Sequence, residues 1–262
     1  MKLNNVYKIF VMSFALVIIL ACNALAPVPT VTPSVIPPTI TSVVLISQQV
    51  TLISAPYNET NQTPPFTITS QTPQLTGSDD PRVTAFNQRL NQLVAKEVDT
   101  FRQSFLQNTA PIVTNGSFLE VSYELVSQIG DLWSLKLDFS FYADGAAHPG
   151  LYSITLNYDL GQGKELALSD LFLPNSNYLE VISNYCMAEL SKQPFFDVPF
   201  SEGAQPSPEN YRNWNITPDG LMITFDEYQV APYAAGPQKV IVPYSELQAV
   251  INLQGPLGKL NQ

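Results

Sequence analysis

Residues 117–160, SFLEVSYELVSQIGDLWSLKLDFSFYADGAAHPGLYSITLNYDL, contain three strand-like segments in a row. They are SFLEVSYELVSQI (117–129), LWSLKLDFSFYA (132–143) and GLYSITLNYDL (150–160). Gly130-Asp131 is typical of a tight hairpin turn between the first two. In the second segment, polar and apolar residues alternate from Ser134 to Phe141. A period of two places the apolar side chains on one side of a sheet, so we expect strands with one buried face.

Two segments with apolar residues at helical spacing flank these strands. We predict the first helix over 80–107, where Asp79 or Asp80 can cap it and Pro81 suits its first turn. We predict the second over 175–192, with Cys186 on its apolar stripe as a buried small hydrophobe. Further strands are predicted at 44–54, 66–71, 213–217, 220–226 and 238–244. The pattern indicates an α+β fold, an antiparallel sheet with two main amphipathic helices packed on it.

The N-terminus has the features of a bacterial lipoprotein signal. Two lysines precede the apolar run IFVMSFALVIILAC (9–22), which ends in Ala21-Cys22. Cleavage of the signal peptide, residues 1–21, would make Cys22 the first residue, and its thiolate is nucleophilic enough to accept a lipid. The alternative is an uncleaved membrane anchor over 9–26. We expect an extracytoplasmic protein that is lipid-anchored to a bacterial cell membrane through Cys22.

A spacer and two folded parts are predicted after the signal. Residues 22–43 hold the lipidated Cys and a segment rich in Pro and Thr, PVPTVTPSVIPPTITSV, which is uncharged and typical of an extended linker. We predict an N-terminal subdomain over 44–115 and a C-terminal domain over 116–262.

Charge and cysteine content limit the possible functions. The chain has a formal net charge of −10, and loss of the two signal-peptide lysines would leave −12. Its few basic residues do not cluster, which argues against a nucleic-acid partner. The chain has two cysteines, so lipidation of Cys22 would leave Cys186 without a partner for an intramolecular disulfide. The core must then hold the fold.

The sequence offers little for catalysis. His148 is the single histidine, and a catalytic base or a metal ligand would need partners that no neighbouring motif supplies. No HExxH, GxSxG or P-loop is present. The paired carboxylates Asp79-Asp80 and Asp226-Glu227 could serve a glycosidase, although such pairs in turns are more often caps. We expect no catalytic residues, no metal and no cofactor, with a carboxylate-dependent cell-wall hydrolase as the alternative.

The strongest binding candidate is the segment YQVAPYAAGP (228–237), because loops between strands often carry function. Tyr228, Pro232 and Tyr233 belong to it. Tyrosine offers a large contact area with a polar tip. The alternative is that both tyrosines only pack the loop onto the sheet.

Several motifs resemble a known family. They are YADGAAHPG (142–150), LNYDLGQGKELALSDLF (156–172) and ITPDGLMITFDEYQVAPYAAGPQKVIVPYSEL (216–247). Their order resembles the C-terminal domain of RsiV-type anti-sigma factors, which is shared with the non-catalytic region of PdaC-type peptidoglycan deacetylases. TPQLTG (72–77) and PRVTAFNQRLNQLV (81–94) resemble the small domain that precedes it.

This resemblance covers about residues 44–250 and implies an extracytoplasmic α+β module that binds lysozyme in the RsiV-type proteins. His148 falls within the matching motif 142–150, which implies no chemical role for it, and the alternative is that its imidazole caps a turn or bonds a backbone carbonyl. We therefore expect a non-catalytic domain that binds a lysozyme-like muramidase or peptidoglycan through Tyr228, Pro232, Tyr233 and His148. A structural envelope lipoprotein is a further alternative.

Overall fold

The computed structural model describes residues 45–106, 116–196 and 198–261. The predicted signal peptide, the lipidation site at Cys22 and the linker to residue 43 lie outside the described residues. Within these ranges, no helix is both long enough and apolar enough to cross a membrane.

The described residues form nine strands and four α-helices. The strands are β1 Thr51–Gln62, β2 Pro65–Thr76, β3 Ser117–Ile129, β4 Leu132–Tyr142, β5 Gly150–Asp159, β6 Lys164–Glu165, β7 Trp214–Ile216, β8 Gly220–Phe225 and β9 Gln238–Pro243. The helices are α1 Pro81–Leu106, α2 Tyr178–Leu190, α3 Val198–Ser201 and α4 Tyr244–Leu247. The predicted α+β fold class is confirmed.

Two sheets replace the single predicted sheet. One has the order β1-β2-β3-β4-β5-β6, and the other has the order β7-β8-β9. All neighbouring strands are antiparallel except β2 and β3, which pair in parallel from Phe66 and Ser117 onwards. Helix α1 comes between β2 and β3 in the chain and supplies the long connection that parallel neighbours need. The predicted N-terminal subdomain thus contributes strands to the sheet of the C-terminal domain, and the boundary at residue 116 stays a prediction.

The first strand differs from its prediction. The apolar segment 44–54 contains a 3-10 turn at Ile46–Gln48, and β1 runs from Thr51 through the polar residues up to Gln62. Residue-by-residue pairing with β2 holds this polar edge strand extended. Apolar periodicity cannot report a strand of this kind, because its side chains are largely exposed.

Helix α1 packs on the six-stranded sheet and forms the first core. Its buried residues are Val83, Phe86, Leu90, Val94, Val98 and Phe105. They meet the apolar side of β4, where Leu135, Leu137 and Phe139 are fully buried. Burial of each such side chain contributes about 1.5–3 kcal/mol relative to exposure. At the helix start, Asp80 Oδ1 accepts the backbone N–H of Arg82 at 2.9 Å, which agrees with the predicted cap.

Helix α2 packs on the three-stranded sheet and forms the second core. Ile182, Cys186 and Leu190 are buried there with Val240 and Val242 of β9. The prediction of a buried Cys186 is confirmed. Burial raises the pKa of its thiol to about 12, so the thiol is neutral at physiological pH.

Strand β7 turns its unpaired edge toward the six-stranded sheet. The Trp214 N–H donates to Thr155 Oγ1 at 3.1 Å, and its carbonyl accepts from Asn157 Nδ2 at 2.7 Å. The Ile216 N–H donates to Ser134 Oγ at 3.0 Å and to Asn157 Oδ1 at 3.2 Å. Side chains of the first sheet therefore satisfy the free backbone groups of an edge strand, as burial requires.

The polar side of β4 is buried by this docking, contrary to the expectation of one buried face. Ser134 is 1% exposed, and Lys136 is 6% exposed and forms an ion pair with Asp138. The alternation of polar and apolar residues in β4 predicted an exposed polar face, because such a pattern indicates only which side buries apolar residues. Here the covering strand binds that face through hydrogen bonds instead of apolar contacts.

Candidate functional site

The structure brings the four predicted binding residues together at the surface. His148 lies between β4 and β5, whereas Tyr228, Pro232 and Tyr233 lie in the connection from β8 to β9. His148 and Tyr228 are 80 residues apart in the chain, yet they are hydrogen-bonded. The sequence indicated them separately, and the tertiary structure makes them one cluster.

Three aromatic rings form a nearly parallel group, which we call the aromatic cluster (His148, Tyr228 and Tyr233). The His148 and Tyr233 rings stack with centroids 3.7 Å apart and planes 23° apart. The Tyr228 ring lies 5.7 Å from Tyr233 at an angle of 26°. Tyr228 is 57% exposed, so the cluster presents a large apolar surface with polar tips to solvent.

Hydrogen bonds hold these rings in place. His148 Nδ1 lies 2.8 Å from the Pro149 carbonyl oxygen, and His148 Nε2 lies 3.1 Å from Tyr228 Oη. A carbonyl can only accept, so Nδ1 donates to it, and Nε2 and the Tyr228 hydroxyl share the second hydrogen bond. The Tyr233 hydroxyl also donates to the Pro149 carbonyl, at 3.0 Å. Both ring nitrogens of His148 are thus engaged.

The backbone of this loop is constrained as well. Tyr228 has φ of 64°, a left-handed conformation that costs a non-glycine residue on the order of 1 kcal/mol. Pro232 begins the 3-10 turn Tyr233–Ala235 with φ of −66°, which its pyrrolidine ring favours. A strained residue persists where surrounding contacts hold it, and such residues gather at functional sites.

The carboxylates of Asp226 and Glu227 attach the loop to β5. Asp226 Oδ1 accepts the Ser153 N–H at 2.9 Å, and Glu227 Oε2 accepts the Leu151 N–H at 3.0 Å. Asp226 is 7% exposed and also accepts from the Arg212 guanidinium at 2.5 Å. This pair, one of the carboxylate pairs considered for a hydrolase, anchors the loop below the cluster.

The other carboxylate pair lies at the start of α1. Hydrogen bonds from the Arg82 guanidinium and backbone lower the pKa of Asp80 to about 2. Asp80 is therefore ionised at neutral pH and cannot serve as a general acid there. Among the described residues, no three His, Cys, Asp or Glu side chains are grouped so that they could hold a metal ion.

Sequence reasoning missed the supporting residues of the cluster. The Pro149 carbonyl accepts hydrogen bonds from two of the three rings. The Asp226-Glu227 pair fixes the loop at the point where it leaves β8. The sequence signal for this anchor was the pair of acidic residues directly after an apolar strand. That signal did not indicate which residues of β5 the two carboxylates bind.

Comparison with known proteins shows where this chain has relatives. Residues 169–245 match the family model DUF3298, described as a protein of unknown function. The peptidoglycan-N-acetylmuramic acid deacetylase PdaC of Bacillus subtilis is 27% identical over 168 residues, which are 63% of this chain and 36% of PdaC. The immunogenic protein MPT64 of Mycobacterium tuberculosis is 30% identical over 107 residues, 41% of this chain and 47% of MPT64. The chain spans less than half the length of either relative.

A solved structure shares the fold. A DUF3298 family member from Bacteroides fragilis superposes with a TM-score of 0.59 at 15% identity, covering 80% of this chain and 97% of its own. The predicted relationship to PdaC is confirmed, and the match to the DUF3298 model is limited to residues 169–245. The resemblance to RsiV-type proteins stays a prediction.

Proposed function

We propose that this chain, which carries a DUF3298 domain and is related to PdaC, is a lipid-anchored extracytoplasmic lipoprotein that binds a cationic, lysozyme-like muramidase. It has no catalytic role of its own in this proposal. The observation that carries the proposal is the exposed aromatic cluster, in which Tyr233 stacks on His148 and Tyr228 is 57% exposed. Peptidoglycan is the second candidate ligand, and the experiments below separate the two.

The cluster has the properties of an interface anchor. Tyrosine side chains are enriched among the residues that dominate binding energy. Hydrogen bonds to Pro149 and between His148 and Tyr228 already fix the rings in the unbound protein. Rings that are fixed before association lose less conformational entropy on binding, which favours affinity.

Charge supports a basic partner. The chain carries −10, or −12 after the proposed signal cleavage, and opposite net charges accelerate association. Charge is a weaker argument than the cluster because it does not select one basic protein over another. The proposal therefore places the specificity in the aromatic cluster.

Binding of purified protein to lysozyme tests the partner and the site together. Biolayer interferometry should show binding that weakens gradually with salt and persists at about 0.15 M. Tyr233→Ala should weaken binding about 30-fold, the equivalent of about 2 kcal/mol. Tyr57→Ala is the matched control, because Tyr57 is a tyrosine on β1 that is 44% exposed and lies outside the cluster.

Each outcome has a distinct meaning. Absence of binding at low salt would reject the muramidase, and retention on peptidoglycan pellets would then identify the cell-wall ligand. Binding unchanged by Tyr228→Ala and Tyr233→Ala would keep the partner and reject the site. Binding that disappears at about 0.15 M salt would indicate charge attraction alone and favour a structural lipoprotein. A changed muropeptide pattern would favour the hydrolase alternative.

The lipid anchor is tested separately. Cys22→Ala should abolish labelling with palmitate and leave the precursor uncleaved, because the modified thiol is gone. Cys186→Ala is the control and should label like the wild type. Equal labelling of Cys22→Ala and wild type would refute the lipoprotein assignment.

A further inference from the structure

A cavity lies between part of helix α1 and the β1–β2 hairpin, beside the core in which the two are packed. It has a volume of about 330 Å³, and its apolar wall consists of Val94, Ala95 and Val98 on one side of α1. Small-molecule sites in proteins begin at about this volume. None of the elements around it contributes to the aromatic cluster, so its occupancy is independent of the proposed function.

Two buried hydroxyl groups line the cavity on β2. Ser70 is 2% exposed and Thr72 is 7% exposed, and their hydroxyl oxygens lie 3.2 Å apart. One hydroxyl donates to the other, which uses one of the two protons. The remaining O–H has no acceptor among the described residues. A buried donor without an acceptor is unfavourable, and an acceptor from a ligand would satisfy it.

The mouth of the cavity is ordered by an ion pair. The Arg102 guanidinium donates to both carboxylate oxygens of Glu59, at 3.1 and 2.6 Å, and the Tyr57 hydroxyl donates to the same carboxylate at 2.6 Å. The hydrogen bonds from Arg102 hold the pKa of Glu59 below its ordinary value. Asp99, which also lines the cavity, pairs with Arg102 as well, so two carboxylates hold the guanidinium at the rim.

We propose that this cavity binds a small neutral molecule with an apolar body and one hydrogen-bond acceptor, such as a carbonyl oxygen. The apolar body contacts the α1 wall, and the acceptor receives the free O–H of the Ser70–Thr72 pair. An anionic ligand is disfavoured because the Arg102 guanidinium at the rim is already paired with Glu59 and Asp99. The chemistry of the ligand thus follows from the apolar wall, the free hydroxyl donor and the paired guanidinium at the rim.

Butyrophenone and butylbenzene form a matched pair of probes, because they share an apolar body and differ by a carbonyl group. Titration of the ¹⁵N-labelled protein should shift the amide signals of Ser70, Thr72, Val94 and Val98. Butyrophenone should bind about five- to tenfold more tightly than butylbenzene, the contribution of one hydrogen bond. The anionic 4-phenylbutyrate should bind more weakly than the ketone.

Two variants separate the elements of the proposal. Ser70→Ala/Thr72→Val removes both hydroxyls and should abolish the preference for the ketone while butylbenzene still binds. Ala95 is an exposed residue of α1 that lines the cavity, so Ala95→Trp should fill the cavity and block both probes. This variant supplies a test even if the double variant does not fold. Equal affinities of the two probes for wild type, shifts confined to other residues, or a ketone preference that survives loss of both hydroxyls would overturn the proposal.

Discussion

Asn157→Ala tests how the two sheets are joined. The Asn157 side chain is 2% exposed and makes three hydrogen bonds. Its Nδ2 donates to the Trp214 carbonyl at 2.7 Å, and its Oδ1 accepts from Ser134 Oγ at 2.6 Å and from the Ile216 N–H at 3.2 Å. Alanine removes all three without adding a polar group.

The expected loss of stability follows from the buried polar groups that the substitution leaves without hydrogen-bond partners. The Ile216 N–H keeps its bond to Ser134 Oγ, but the Trp214 carbonyl and the Ser134 hydroxyl proton lose their partners. Each buried unsatisfied group costs about 1–3 kcal/mol, so the free energy of unfolding should fall by about 3 kcal/mol. For a domain of this size, that loss lowers the melting temperature by roughly 6–12 °C.

Urea denaturation measures this change. The midpoint should fall while the slope of free energy against urea stays constant, because the exposed surface is the same. Asn58→Ala is the control, since Asn58 is exposed on β1 and should change stability by less than about 0.5 kcal/mol. A loss for Asn157→Ala below about 1 kcal/mol would refute the view that side chains of the first sheet satisfy the β7 edge.

Two further predictions concern titratable groups. In a Cys22→Ala background, the buried Cys186 thiol, whose pKa is raised to about 12, should react slowly with Ellman's reagent until urea unfolds the protein; fast reaction of native protein would contradict its burial. The Asp80 carboxyl should titrate near pH 2 by NMR, and Arg82→Ala should return its pKa toward the ordinary 3.8. The pKa of Asp80 is lower in the folded protein than in the unfolded chain. The interaction of Asp80 with Arg82 therefore stabilises the fold fully above about pH 3.8, and this stabilisation is lost as the pH falls through about 2. A value unchanged by Arg82→Ala would exclude the guanidinium as its cause.

Local patterns in the sequence determined most of the secondary structure. The segment 117–129 was predicted as a strand and is β3, Ser117–Ile129, and the helix predicted over 80–107 is α1, Pro81–Leu106. Spacing on the second helix also predicted the burial of Cys186, which is fully buried. These features can be predicted from the sequence because apolar periodicity and helix capping depend on residues that are close in the chain.

Contacts between distant segments were decided only by the tertiary structure. The parallel pairing of β2 with β3 has no local signature, because alternation is the same in either strand direction. Ser134 was expected on a solvent-facing side of β4, yet it and Asn157 bind the edge of β7. Burial of polar groups depends on whether a partner arrives to satisfy them, and that partner is far away in the chain.

The candidate site combines both kinds of information. Its chemistry was visible in the sequence, because Tyr228, Tyr233 and Pro232 stand together in one loop and His148 is the single histidine. The arrangement of these residues was not visible in the sequence, since His148 and Tyr228, which are hydrogen-bonded, lie 80 residues apart in the chain. Residue types alone determined which side chains could form an aromatic surface. The tertiary structure decided that these side chains meet at one place. The pairing of β4 with β5 positions the loop of His148, and the hydrogen bonds from β5 to Asp226 and Glu227 position the loop of the tyrosines, because sheet register sets which loops become neighbours.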